Sequence, residues 1–270
     1  MNSGERLEWG HVRGAMKTQA RVIYALMMRE TLSRYGDHKL GFIWAILEPL
    51  FMVAIVVTFV SALGSDSPGG MPIVPFMISG FVPFFMFRNT MTQLRTAITS
   101  NRTLLGFPQV TTFDVIVART LLENGVLLIV FVFILSMAHL LGYEFSIENP
   151  LGVLAVCLAL AAMGTGFGFL FAAISPIMPS IGQIANLLFG RPLLFTSGLF
   201  YVASSIPEPF RTWLLYNPIL HLMELMRSYF FYEFESSYGS WTYAGSWMFG
   251  MLVLGMLTHQ ALRRRAIVGL

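Results

Sequence analysis

Six apolar stretches, each close to the roughly 20 residues that cross a bilayer, dominate the chain. They run over residues 41–63, 73–98, 115–141, 151–174, 181–202 and 241–262 of the 270. Only 11% of residues are charged and 56% are hydrophobic, and mean hydropathy is +0.68. A soluble domain carries about 25% charged residues, so folding in water would leave too little charge to cover the surface. Disorder is excluded as well, because it requires low hydrophobicity and many charges. The expected fold is an all-α integral membrane protein with six transmembrane helices in a single domain, 1–270. Within it, 1–40 is cytoplasmic or interfacial, 41–262 is the core and 263–270 is a cytoplasmic tail.

Basic residues set the orientation. Arg6, Arg13, Lys17, Arg21, Arg29, Arg34 and Lys39 precede the first stretch, Arg102 lies between the second and third, and Arg263, Arg264 and Arg265 close the chain. Loops 64–72 and 142–150 carry neither Lys nor Arg. Both ends are therefore expected in the cytoplasm. The first 40 residues hold no apolar run of signal-peptide type, so no cleaved signal is expected. Residues 17–35 read as a helix with Lys17, Arg21 and Arg29 near one face and Val22, Ile23, Leu26 and Met27 broadening the other. Such a helix either lies flat on an anionic membrane surface or packs on the rest of the protein. Residues 203–240 would be external. Their aromatic content, and Asn217-Pro218 as an N-cap and first helical residue, suggest two short re-entrant helices.

Several chemistries are missing. There is no G-x-x-x-x-G-K-[ST], H-E-x-x-H or G-x-S-x-G pattern, so neither a nucleotide loop nor a hydrolytic site is expected. His11, His38, His139, His221 and His259 lack metal-ligand spacing, and no metal is expected. The single Cys157 cannot form an internal disulfide. Gly164, Gly166 and Gly168 lie inside a span, where small residues let helices approach closely.

Charges inside the spans carry more information, because each costs roughly 2.5–3.5 kcal/mol at the bilayer centre. Arg88 is followed by Asn89, Thr90, Thr92, Gln93 and Arg95, a half-span too polar to face lipid. Arg191 sits mid-span between Gly190 and Pro192, with Gln183 and Asn186 on the same stretch. Glu48 is the expected counter-charge. One reading is a buried Arg–Glu pair that only joins helices. The other is a watery path with a positive lining, suited to an anionic passenger. Arg119 and Glu123, spaced i, i+4, read as a local helix pair.

Arg29-Glu30, Arg34-Tyr35-Gly36, the run 40–49 ending in Leu47-Glu48-Pro49, Phe81-Val82-Pro83-Phe84-Phe85, Ile116-Val117-Ala118-Arg119, and Tyr216-Asn217-Pro218 with His221, Glu224 and Arg227 together resemble the membrane subunits of type-2 ABC exporters. Capsular polysaccharide export permeases of Gram-negative bacteria are the nearest likeness. The resemblance implies an inner-membrane homodimer energised by two copies of a separate ATP-binding subunit, which would hold ATP and Mg; this chain would bind no cofactor. It implies a channel for lipid-linked acidic polysaccharide, lined by Arg88, Arg95, Arg191, Phe84, Phe87 and Tyr201. ATPase coupling would fall on residues 100–114, with Arg102, Phe107, Pro108 and Asp114, and a second contact on 175–182. An external gate would hold Trp213, Tyr216, Glu224 and Arg227, and a periplasmic co-polymerase or adaptor would continue the path. Membrane lipids are expected partners and nucleic acid is not. Two other readings stay open: an exporter of another cargo (O-antigen, teichoic acid or a drug), and a channel that needs no ATPase.

Overall fold

The computed structural model describes residues 3–35, 43, 47, 50–56, 58, 68–143, 145–232 and 234–268. Most of the 40–49 motif and of the first apolar stretch therefore lies outside the described residues. The described residues form helices and loops.

The first helix, α1 (Ser3–Tyr35), is longer than the 17–35 expected. Its apolar stripe does not stand free. Leu26 is buried, and Val22, Ile23 and Met27 pack with it against Leu94, Ala97, Ile98, Val115 and Ile116. The packed alternative for this segment is the one observed for that stripe.

Helix α2 (Ile73–Arg95) is the centre of the bundle. Residues 75–87 are buried without interruption, and Pro83 is accommodated inside. After a turn at Thr96 comes the short α3 (Ala97–Ser100). Helix α4 (Thr112–Leu140) opens with a full capping box, in which the Thr111 side chain accepts from the Asp114 N–H and the Asp114 carboxylate accepts from the Thr111 N–H. This satisfies two of the donors that a helix start leaves unpaired. Helix α5 (Pro150–Ile174) starts on the Asn149 cap with Pro150 in its first turn, where a missing N–H costs nothing. Helices α2, α4 and α5 are long and apolar enough to cross a bilayer.

The glycines of α5 work as expected. A Cβ on Gly164 would sit 2.5 Å from the Phe87 carbonyl oxygen, and one on Gly168 would sit 2.7 Å from Leu94, both on α2. Gly166 faces the other way, toward Met251 and Gly255 of the last helix, α10 (Trp241–Val268). Bare backbone on two sides of α5 thus sets the spacing of three helices.

The fifth apolar stretch, expected as one span over 181–202, is broken. It forms α6 (Ile181–Phe189) and α7 (Arg191–Thr196), separated by Gly190 at φ −80°, ψ −117°. A Cβ at Gly190 would run into the Asn186 carbonyl, so the bend demands glycine. Two short helices follow, α8 (Phe210–Leu214) and α9 (Pro218–Phe230). Asn217 caps α9 as expected, accepting from the Ile219 N–H at 3.0 Å.

Candidate functional site

The break in the fifth stretch opens onto a cleft of about 390 Å³. Arg88, Met91 and Thr92 of α2 line one side; Asn186, Leu187, Phe189, Gly190, Arg191 and Pro192 line the other. Arg88 and Arg191, 103 positions apart in sequence, therefore share one cavity. The interruption also unpairs the main chain. The Gly190 N–H reaches the Asn186 carbonyl at 3.0 Å and the Leu194 N–H reaches the Gly190 carbonyl at 3.4 Å, while Pro192 has no N–H to give. The carbonyls of Leu187, Leu188 and Phe189 are left without a donor among the described residues, and the N–H groups of Arg191 and Leu193 without an acceptor. Unpaired backbone is tolerated at membrane depth only beside protein or a watery cavity.

Other expected lining residues are placed elsewhere. Phe84 and Phe87 are fully buried. Their rings pack on each other, on Phe85 and on Phe167, so neither offers a face to a passenger. Arg95 reaches the spot where a side chain on Gly182 would be, against the 175–182 connection. Tyr201 lies in the turn behind α7. Glu48 lies outside the described residues.

The four residues expected at an external gate divide into two pairs. Trp213 and Tyr216 are 72% and 68% exposed, whereas Glu224 and Arg227 are at 1% and 0%. The Arg227 guanidinium donates to the carbonyls of Tyr201 and Leu199 at 3.2 and 3.3 Å. It also stacks on Phe76 at 3.9 Å. Glu224 accepts from the Ala203 N–H at 2.8 Å and the Ser236 hydroxyl at 2.5 Å. These two residues act as internal fasteners, joining α9 to the turn after α7 and to the approach to α10. The apolar face of α9 is equally embedded, with Leu220, Leu222, Met223, Met226 and Phe230 fully buried. Between Ala203 and Ile219, by contrast, no residue is buried. Arg211 there pairs with Glu208 at 2.9 Å and lies 5.0 Å from the Tyr238 ring. The Thr212 hydroxyl and the Arg211 guanidinium hold the Glu208 carboxyl below the usual carboxylate range. The far end of this segment is pinned. His221 Nε2 donates to the Leu215 carbonyl at 2.8 Å, the Tyr243 hydroxyl donates to the Tyr216 carbonyl at 2.9 Å, and the Asn217 amide donates to Ser197.

At the other end of the bundle, Arg102, Phe107 and Pro108 are exposed on the connection between α3 and α4. Asp114 is not: it is 2% exposed, and besides its capping box it accepts from the Gln19 amide at 3.0 Å. It braces α1 against α4 rather than presenting a docking face. Arg119 makes a bond that its spacing to Glu123 gave no hint of. It reaches Glu30 on α1 at 2.6 Å and donates to the Gln93 carbonyl, Thr96 and Ser100. With Arg29 donating to Asn101 at 2.8 Å, α1 is tied at two points to α4, through Asp114 and Arg119, and at a third to the α2–α4 connection.

A helical membrane domain that carries a cationic cleft and lacks a nucleotide loop fits a transporter's membrane subunit. The chain belongs to the ABC-2 type transporter family, which it matches over residues 21–231. Its relatives include the polysialic acid transport protein KpsM of Escherichia coli, 29% identical over 215 residues that make up 80% of this chain and 83% of the relative. The capsule polysaccharide export inner-membrane protein CtrC of Neisseria meningitidis serogroup B is 30% identical over 217 residues, 80% of this chain and 82% of its own. BexB of Haemophilus influenzae, which bears the same description, is 27% identical over 226 residues, 84% of this chain and 85% of its own.

Proposed function

We propose that this chain is the membrane subunit of an ATP-driven exporter that moves lipid-linked acidic capsular polysaccharide across the bacterial inner membrane. Two copies form the channel as a homodimer, with six spans each and both termini cytoplasmic. Two copies of a separate ATP-binding subunit hold ATP and Mg and dock on the 101–110 connection, where Arg102, Phe107 and Pro108 are exposed. The α8–α9 segment faces outward as a re-entrant pair, and a periplasmic adaptor receives the polymer.

The observation that carries the cargo reading is the convergence of Arg88 and Arg191 on one cleft. A pair of cations beside an open helix end favours an anionic passenger. Family membership and the lack of a nucleotide motif support a partner ATPase. The exposed apolar side chains of Ile184, Leu187, Leu188 and Phe195 beside the cleft support a second copy as their cover.

The test is a pull-down of the tagged chain from native membranes, followed by ATPase assay with and without acidic capsular polymer. An ATP-binding protein should co-purify, and polymer should change its turnover. Arg191→Ala should keep that partner and lose export. Absence of any ATP-binding partner would overturn the exporter reading in favour of an ATPase-independent channel.

A further inference from the structure

The cleft presents two kinds of group that are seldom wanted by the same ligand. Arg88 and Arg191 call for an anion. The last carbonyls of α6 are acceptors, and helix-end carbonyls project along the axis off the C-terminal end, here toward Gly190 and Arg191. Acceptors alone would suit a metal cation or an ammonium group, but the two guanidinium groups repel both. A simple anion would satisfy the arginines and leave the carbonyls of Leu187 and Phe189 dry. The ligand that satisfies both sets carries a negative group and, a few ångströms away, neutral O–H donors. Thr92 and Asn186, also on the lining, add side chains that both donate and accept.

We infer that the break between α6 and α7 is a binding subsite for a polyhydroxylated carboxylate, a sugar acid, with the arginines taking the carboxylate and the main-chain carbonyls at the end of α6 accepting from ring hydroxyls. The inference builds on the proposed polysaccharide reading and sharpens it. A neutral sugar meets only half of the site, and so does a phosphate without hydroxyls. Because carbonyls are supplied by the backbone, this part of recognition is indifferent to side-chain identity at 187–189. It depends instead on the break being kept open by Gly190 and Pro192.

The test compares three probes on the full chain in nanodiscs by saturation-transfer NMR: acetate (charge alone), glucose (hydroxyls alone) and glucuronate (both). Glucuronate should bind about tenfold or more tightly than either of the others, since a charge-assisted pair and a hydroxyl bond act together. Arg191→Ala, at an exposed position, should lower glucuronate to the level of glucose. Pro192→Ala restores an N–H whose helical partner is the Leu188 carbonyl, which takes one of the free acceptors at the end of α6 out of play, so it should weaken glucuronate and glucose by about threefold while leaving acetate unchanged. Arg191→Lys, which keeps the charge, should retain most of the glucuronate preference. Glucuronate binding no better than acetate would overturn the inference, as would a Pro192→Ala chain that binds all three probes like the parent. The exporter reading fails separately: a chain that prefers glucuronate but has no ATP-binding partner keeps the subsite and loses the export function.

Discussion

Replacing Gly166 by alanine inserts one methyl group between α5 and α10. A Cβ there would lie 2.7 Å from the Met251 carbonyl carbon and 2.8 Å from both the Leu252 nitrogen and the Met251 oxygen. All three are main-chain atoms, so no rotamer change relieves the contact. The two helices would have to part by about 0.7 Å to reach ordinary van der Waals distance. Overpacking of this kind costs about 1–3 kcal/mol. The gain in helix propensity from glycine to alanine, about 1 kcal/mol, acts in the opposite sense. Gly250, on the same α10, isolates that second effect, because a Cβ there meets nothing within 4 Å. Gly250→Ala should therefore melt at or above the parent, and Gly166→Ala below it. The difference between the two variants is the overpacking cost alone. Thermal denaturation followed by fluorescence-detected size exclusion in one detergent measures it. Equal melting of the two variants would refute the claim that backbone contact sets the α5–α10 spacing.

Asp114→Ala removes both the capping box and the bond to Gln19, and should cost about 1–2 kcal/mol in thermal stability; an unshifted melt would mean the cap contributes nothing. Arg102→Glu, at an exposed position, should leave the fold intact and reduce capture of the ATP-binding subunit in pull-down, whereas unchanged capture would take residues 101–110 out of the docking surface. Hydrogen exchange in nanodiscs should run at least about a hundredfold faster at residues 208–214 than at 219–230, because local opening is easiest where few groups are buried; equal protection would contradict the burial contrast between α8 and α9.

Much of this architecture was legible in the sequence because long apolar runs and caps are local signals. The edges of α2, α4 and α5 fall within three residues of expectation, and Asn217-Pro218 starts α9 where its cap chemistry indicated. The start of α1 was missed because Gly4, Gly10 and Gly14 depress local helix propensity. The faces of the spans were not legible at all. Lipid and protein interior are equally apolar, so nothing in Phe84 or Phe87 separates a core-facing ring from a channel-facing one. Pairings across long separations, such as Arg119 with Glu30, leave no trace in spacing. Arg191 was legible because a charge between glycine and proline conflicts with its apolar surroundings. Arg227 drew notice through the family resemblance, and its role as a fastener emerged only from the fold.

The contrast between α9 and the segment before it limits how the proposed outer mouth can work. A helix that buries an arginine and a glutamate among its neighbours behaves as a door frame, since drawing it out would strip two charges of their partners. The leaf is then residues 204–214, hung between the Ala203 attachment and the Leu215–Asn217 pins. A strip of about eleven residues held at both ends reaches no more than roughly 20 Å from its hinges even when fully extended. The aperture is thus bounded by the length of a tether, and shortening that strip should narrow the passage without touching the chemistry of the cleft.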